Sequence, residues 1–393
     1  MKKILVFFAA GLLFSCASNQ NTCALLNHSL SVSGEQLLLM DSVADTTSGT
    51  LRSWDGKNYR VQPHSDWTCG FYPGSLWLYY QLSGKEEYSD MARKYTARLN
   101  DIPYLTDSHD LGFMVFCSYG KQYECLQDSS SVSAILQAAE SLASRFDERV
   151  GLIRSWDFGP WNYPVIIDNM MNLELLFWAS ERSGMSKYRQ LAVQHADKTM
   201  QNHFREDASS YHVVSYNDDG TVESKGTFQG YADDSRWARG QAWGLYGYTM
   251  CFRYTGFERY LEQARRIAKL ILSQESIPDD GVPYWDYDTP DIPDTARDAS
   301  AAAITASALL ELCGYVSVEE AAAYEQYAGT ILCSLSSEPY LAEPGSNGYF
   351  ILKHSTGAAS LGSEIDVPLN YADYYYLEAI GRYAARNKIN FKK

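Results

Sequence analysis

An all-α fold, an (α/α)6 barrel built from six helical hairpins, is the architecture this sequence predicts, on three observations. Beyond Ser31 apolar residues recur at three- and four-residue intervals, the signature of helices with one buried face. No sustained apolar/polar alternation marks a sheet. A short motif also repeats: Gly84-x3-Tyr88-x3-Ala92 recurs as Gly184-x3-Tyr188-x3-Ala192 and as Gly256-x3-Tyr260-x3-Ala264. A glycine at the end of one helix supplies its left-handed cap. Tyr and Ala four apart then share the face that packs the next helix back on the first.

The first residues stand outside this pattern. Lys2-Lys3 and the apolar run Ile4 to Phe14 have the charged and hydrophobic parts of a secretory signal, with a run too short to span a bilayer. Leu13-Phe14-Ser15-Cys16 has the form of a bacterial lipobox. Residues 1–15 are therefore expected as a lipoprotein signal peptide, Cys16 as the lipidated residue, 16–30 as a tether and 31–393 as the barrel. The expected location is the periplasm or cell envelope, with the lipid as the only link to a membrane. Ordinary cleavage nearby would give a soluble periplasmic protein instead.

The helical period then predicts about twelve helices, near 32–45, 69–82, 85–100, 110–123, 130–146, 168–183, 186–202, 236–255, 257–274, 298–313, 318–335 and 369–387. Six hairpins in a ring gather the N-termini of the inner helices, with their free N–H groups, around one cleft. The inner helices are expected to start near Cys69, Asp110, Asp168, Arg236, Asp298 and Leu369. The aperiodic stretches 147–167, 203–235, 275–297 and 336–368, rich in Gly, Pro and aromatics, fit loops over that rim.

Composition narrows the function. Hydrophobic residues make up 46% and charged residues 21% of the 393, which excludes a disordered chain, a collagen and a coiled coil. Lys+Arg 33 against Asp+Glu 48 leaves a net charge of −15, whose field repels nucleic acid and other large polyanions. A small anionic fragment fits better. The 30 Tyr and 9 Trp offer flat surfaces of the kind that stack on sugar rings, and that also fill cores. Seven cysteines besides Cys16 are scattered, without a CxxC pair or a His at ligand spacing, so neither a metal site nor a disulfide framework is implied.

Two carboxylates stand at expected inner-helix starts: Asp110 in His109-Asp110-Leu111-Gly112-Phe113, and Asp168 after the apolar run Pro164-Val165-Ile166-Ile167. Aspartate is a favoured N-cap, and a cap would lower its pKa. Burial beside aliphatic groups would raise it, which is what a general acid needs at neutral pH. A second carboxylate nearby would add repulsion, the part open to Asp110. Further along come His212, Gln229 and the run Asp233-Asp234-Ser235-Arg236-Trp237-Ala238-Arg239-Gly240-Gln241-Ala242-Trp243. Helical spacing puts Arg236, Arg239 and Trp243 near one another, either as a packed cation–π group or as a carboxylate clamp with a stacking platform. Trp67 and Phe71 open another inner helix, as rim platforms or as a hydrophobic staple.

Together these segments resemble the unsaturated glucuronyl hydrolases of glycoside hydrolase family 88. The likeness is carried by His109-Asp110-Leu111-Gly112-Phe113, Ile166-Ile167-Asp168-Asn169 with Asn172-Leu173, Trp67-Thr68-x-Gly70-Phe71-x-Pro73-Gly74 and Trp237-Ala238-Arg239-Gly240-Gln241-Ala242-Trp243. Gly281-Val282-Pro283-Tyr284-Trp285-Asp286 and Arg297-Asp298-x-Ser300-Ala301-Ala302 extend it from about Trp67 to Tyr376. The resemblance implies an (α/α)6 barrel, no metal or other cofactor, and removal of the 4,5-unsaturated uronic acid that polysaccharide lyases leave at a non-reducing end. It implies Asp168 as acid/base and Asp110 as its partner. It also implies substrate contacts from His212, Gln229, Trp237, Arg239 and Trp243, with Trp67 and Phe71 as stacking surfaces. His354 to Gly362 is expected to help enclose the leaving sugar, and it carries no basic residue after His354. An unsaturated rhamnogalacturonyl hydrolase is the nearest rival, disfavoured by the His109-Asp110 pair and the Trp237 to Trp243 run. A non-catalytic glycan-binding lipoprotein would have no use for two carboxylates that repel its ligand.

Overall fold

The computed structural model describes residues 5–392, with side chains from Thr22 onward. Its helices are α1 (Leu5–Ala44), α2 (Phe71–Ser83), α3 (Glu86–Ala97), α4 (Lys121–Leu126), α5 (Ser129–Ala143), α6 (Leu173–Ser183), α7 (Ser186–Asn202), α8 (Ala238–Thr255), α9 (Glu258–Leu272), α10 (Ala299–Leu312), α11 (Val318–Leu335) and α12 (Asn370–Asn387). A π-helical stretch, Gly112–Gly120, runs straight into α4, and a 3-10 turn, Ile167–Asn172, leads into α6. Inner and outer helices alternate along the chain. Each inner helix packs on the next, and α12 packs on α2, which closes the ring. The chain is thus the expected (α/α)6 barrel.

Burial follows position in the ring. Outer helix α9 buries Tyr260, Ala264, Ile267, Ala268 and Ile271, the spacing of a single apolar face. Inner helix α10 is buried nearly all round, and its short Ala and Ser side chains let neighbouring helices approach. The repeated glycines do what the spacing predicts. Gly84, Gly184 and Gly256 cap α2, α6 and α8 at φ 70°, 74° and 66°, each N–H returning to a carbonyl four residues back. A Cβ at Gly184 or Gly256 would meet nothing within 4 Å, so the positive φ, and not space, calls for glycine there. The paired Tyr88, Tyr188 and Tyr260, with Ala92, Ala192 and Ala264, are all buried.

Three expectations are corrected. Residues 22–30, expected within a tether, belong to α1, and Leu26, Ser29 and Leu30 are buried. Short sheets, which no long alternation announced, stiffen the rim: β1 (Thr50–Trp54) with β2 (Tyr59–Gln62), β3 (Phe146–Asp147) with β4 (Leu152–Ile153), and β5 (Tyr163–Ile166), β6 (Val213–Tyr216) and β7 (Val222–Gly226) as one antiparallel sheet. Arg236 precedes α8 and pairs with Asp288 in the loop, away from Arg239. The side chain of Cys16 lies outside the described residues. Among those described, no helix is long and apolar enough to cross a membrane.

Candidate active site

Sheet register builds the first half of the site. Ile166 of β5 pairs with Val213 of β6, and the ladder continues as Ile167 N–H donates to His212 O at 3.0 Å. The chain leaves β5 at Asp168 while His212 enters β6, so the two side chains meet: His212 Nε2 lies 3.7 Å from Asp168 Oδ2. The backbone N–H groups of Phe228 and Gln229 both donate to His212 Nδ1 at 3.1 Å. That nitrogen must be an unprotonated acceptor, so the neutral ring carries its hydrogen on Nε2, facing Asp168. Burial, aided by the charge of Arg239, pushes the imidazole down to about 3 and keeps it neutral. Trp237 packs on its face, with ring centres 4.6 Å apart.

Asp110 supplies the second half. Asn172, at the end of the 3-10 turn that begins beside Asp168, donates from Nδ2 to Asp110 Oδ1 at 3.3 Å and accepts the Phe113 N–H on Oδ1 at 3.0 Å. Gly112 makes this possible, since a Cβ there would stand 2.5 Å from the Asn172 Cα. His109 Nε2 lies 3.2 Å from Asp110 Oδ1, and burial holds that ring near 3, so it too is neutral. Neither carboxylate caps a helix: the π-helical stretch after Asp110, the 3-10 turn that contains Asp168 and α6 after it all begin without a side-chain cap.

Both groups are pushed up. Burial lifts Asp168 to about 7, held back by Arg239, by its own backbone N–H and by the indole of Trp243. Burial and then the charge of Asp168 lift Asp110 to about 8. Below neutrality the pair carries protons and adds little charge to the cleft. Asp168 Oδ2, His212 Nε2, His109 Nε2 and Trp243 Nε1 are buried without a full hydrogen bond inside the protein. The first two converge on one point.

The other expected site residues divide. Trp67 and Gln229 line the cleft of about 660 Å³ that holds Asp110 and Asp168, and Gln229 Nε2 donates to Gly357 O at 3.1 Å. Phe71 does not: fully buried, it packs on Phe113, Tyr371, Tyr374 and Tyr375 as a core residue. Trp243 is also fully buried, a donor aimed toward Asp168 and not a stacking platform. Arg239 is the main correction. It is 1% exposed, and it is held by Asp298 at 2.7 Å and by the carbonyls of Thr356 and Gly357. With Trp237 beneath it at 4.6 Å, it is a buried brace for the rim loop and a nearby positive charge for Asp168, with Nη1 and Nη2 already engaged within the protein.

Several lining residues lie outside the motifs that the sequence singles out. Trp156 stacks on Phe158 at 5.2 Å and meets Phe228 and Trp161, forming an aromatic wall from two of the expected rim loops. Arg52, Arg60 and Glu364 line the same cleft. The hairpin that carries both arginines had a signal, since Asp55-Gly56 between short strand-like runs is a turn pair.

An (α/α)6 barrel with two raised carboxyls and an aromatic wall at the N-terminal end of its inner helices defines a carbohydrate-active hydrolase. The comparisons give the particular family. The chain belongs to Glycosyl Hydrolase Family 88, whose model matches residues 39–385, and it is a glycosidase. It is 46% identical over 324 residues, 81% of this chain and 80% of the relative, to an unsaturated glucuronyl hydrolase of Formosa agariphila. It is 38% identical to another from a Bacillus species, over 84% of this chain and 89% of that one. A solved unsaturated glucuronyl hydrolase specific for heparin superposes with a TM-score of 0.91 at 46% identity, covering 94% of this chain and 100% of its own.

Proposed function

We propose that this enzyme releases the 4,5-unsaturated uronic acid from the non-reducing end of lyase-made, glycosaminoglycan-type oligosaccharides by hydrating the C4=C5 bond. One observation carries the reading: in a chain of Glycosyl Hydrolase Family 88, Asp110 and Asp168 line one cleft, and burial raises both carboxyls so that a proton is available at neutral pH. An unsaturated uronate is an enol ether. Asp168 gives its proton to C4, and cation character develops at C5. The Asp168 carboxylate so formed takes a proton from the water that adds to C5. The resulting hemiketal opens, leaving a hemiacetal at C1 that collapses and expels the next sugar with the bridging oxygen. The sum is substrate plus water, and Asp168 ends as it began.

The His212 Nε2–H and the Trp243 indole N–H stabilise the Asp168 carboxylate after the proton has left. Asp110, held by Asn172, places the water and keeps a proton near the developing carboxylate. No carboxylate attacks the anomeric carbon, so carboxyl spacing says nothing of retention or inversion. A lyase-made disaccharide supplies the test: its near-ultraviolet enol ether absorbance should fall in step with release of the leaving sugar. Binding without that fall would support a glycan-binding protein, and activity confined to rhamnogalacturonan fragments would support the pectin-directed rival.

Lipidation at Cys16 belongs to the same proposal, supported by Lys2-Lys3, the apolar run and the Leu13-Phe14-Ser15-Cys16 pattern. Cys16→Ala should move the protein from the membrane fraction to the soluble periplasm with its activity intact. Continued membrane association of that variant would contradict the anchor.

A further inference from the structure

Two arginines stand at the mouth of the cleft, and only one of them is spent. Both come from the β1–β2 hairpin, and among the described residues lining the cleft they are the only Lys or Arg. Arg52 grips Glu364 with Nε and Nη2, at 3.1 and 2.8 Å, and reaches Asp66 with Nη1 at 3.3 Å. Its flat face lies over Trp67, 5.6 Å from the ring centre, and its side chain is 14% exposed. Arg60 is different. Its Nη1 donates to Ser363 Oγ at 2.6 Å and lies 3.3 Å from Glu364 Oε2, an oxygen that Arg52 already holds. Among the described residues its Nε and Nη2 have no partner, and 42% of the side chain is exposed.

The cleft also continues past this residue. A second cavity of about 740 Å³ lies between the hairpin and residues 362–368, and it shares Arg60, Ser363 and Glu364 with the first. Trp54 and Tyr59 give it aromatic surface, Asn58 and Asn347 give it hydrogen-bonding groups, and its three carboxylates are each engaged: Asp55 by the N–H groups of Lys57 and Asn58, Asp366 by His354, and Glu364 by Arg52 and Arg60. Asp110 and Asp168 line only the first chamber. On the reading that a terminal unsaturated sugar occupies the chamber holding the carboxyls, the junction where Arg60 stands is a way out for the sugars behind it.

We propose that Arg60 reads an anionic substituent, a sulfate ester or a carboxylate, on the reducing side of the bond that is broken. The proposal rests on the reading of the first chamber as an unsaturated uronyl site. A guanidinium presents a planar edge of donors matched to either anion. The chain carries a net charge of −15, so its long-range field disfavours an anionic substrate, and a local cation at the junction decides which anions enter. Residues 354–362, which enclose the same side, offer no Lys or Arg to do this instead.

The test compares kcat/KM of the wild type, Arg60→Ala and Arg60→Lys on three lyase-made substrates. These are an unsulfated disaccharide, disaccharides with one sulfate on the leaving sugar, and an unsulfated tetrasaccharide with a further uronate. Arg60→Ala should lower kcat/KM for an anion-bearing substrate about 10-fold more than for the unsulfated disaccharide, mostly through KM, as for a partly exposed charge contact. Arg60→Lys should recover part of the loss, and high salt should narrow the gap. Loss on the sulfated disaccharide identifies sulfate, and loss on the tetrasaccharide alone identifies carboxylate. Thermal melting checks folding, and Lys serves where Ala weakens the hairpin. Equal changes on all three substrates, or none, would overturn the proposal. A wild type inactive on every one of them would remove the parent reading and this proposal with it.

Discussion

The barrel buries carboxylates in two places and treats them in opposite ways. Towards the C-terminal ends of the inner helices, Glu378 sits among Lys121, Arg382, Tyr246 and Ser307, accepting from Tyr246 Oη at 3.0 Å and Ser307 Oγ at 2.6 Å. Arg382 also reaches Glu311 at 2.8 Å, and Arg253 joins Glu311 to Glu174. Burial alone would raise the Glu378 carboxyl, but Arg382 and Lys121 overcome it and hold the group below its ordinary value. At the N-terminal end, Asp168 is about as buried as Glu378 and the Asp110 side chain is 15% exposed, and both have neutral histidines for neighbours. The nearby cation, Arg239, is already paired with Asp298. There burial wins. One end is charged, compensated and structural, while the other keeps protons at neutral pH. What separates a plug from a proton donor is the number of cations left over.

The largest effect should come from removing the proton itself. Asp168→Asn should cut turnover at least the ~10²–10⁴-fold typical of a positioned acid/base. The unfolded chain ionises an aspartate near ~4, whereas folded Asp168 keeps its proton to about 7. Between those values the folded protein binds more protons than the unfolded one, so this group makes stability fall as pH rises. The amide should therefore raise Tm relative to wild type at pH 8 and do so much less at pH 4. Thermal melts at the two pH values check this, and a lower Tm at pH 8 would contradict it.

Glu378→Gln probes the other end. It leaves Arg382 and Lys121 buried without their shared partner and should cost about 3–5 kcal/mol, measured by denaturant unfolding. Turnover per folded molecule should hold. A variant as stable as wild type would mean that the cluster is not what closes that end of the barrel.

Much of this arrangement was legible in the sequence, and the reasons differ by element. The twelve helices follow from the 3.6-residue period and from Gly84, Gly184 and Gly256, all local signals. The two carboxyls were legible as helix-start residues. Whether they were caps was not, because Asn172 and His212, which decide it, lie 62 and 44 positions away from Asp110 and Asp168. The choice between a packed cation–π group and a carboxylate clamp at Arg239 was not legible for the same reason, and the structure shows the packing, on Trp237. The Arg239 partners Asp298, Thr356 and Gly357 come from a helix start and a rim loop 59 to 118 positions on. Strands of two to five residues are too short to show a period, so only the Asp55-Gly56 turn pair marks the hairpin carrying Arg52 and Arg60.

Two smaller effects sharpen the contrast. Asp110→Asn should impair turnover strongly and leave one carboxyl to titrate, so the residual rate should follow a single step near 7 in place of the pair's two steps. An unchanged pH profile would place Asp110 outside the coupled pair. Trp243→Phe removes a donor that lowers the Asp168 carboxyl. Its alkaline limb in kcat/KM should therefore shift to higher pH, with a rate loss of only a few-fold. A shift to lower pH would contradict the indole's assignment.

The most direct test of the central claim, that a proton from Asp168 adds to C4, follows deuterium. In heavy water at early times, once a control incubation shows that the released product exchanges more slowly than turnover, the account predicts deuterium at C4 of the freed uronate. Product without deuterium at C4 would contradict hydration and return the two carboxyls to conventional glycoside hydrolysis.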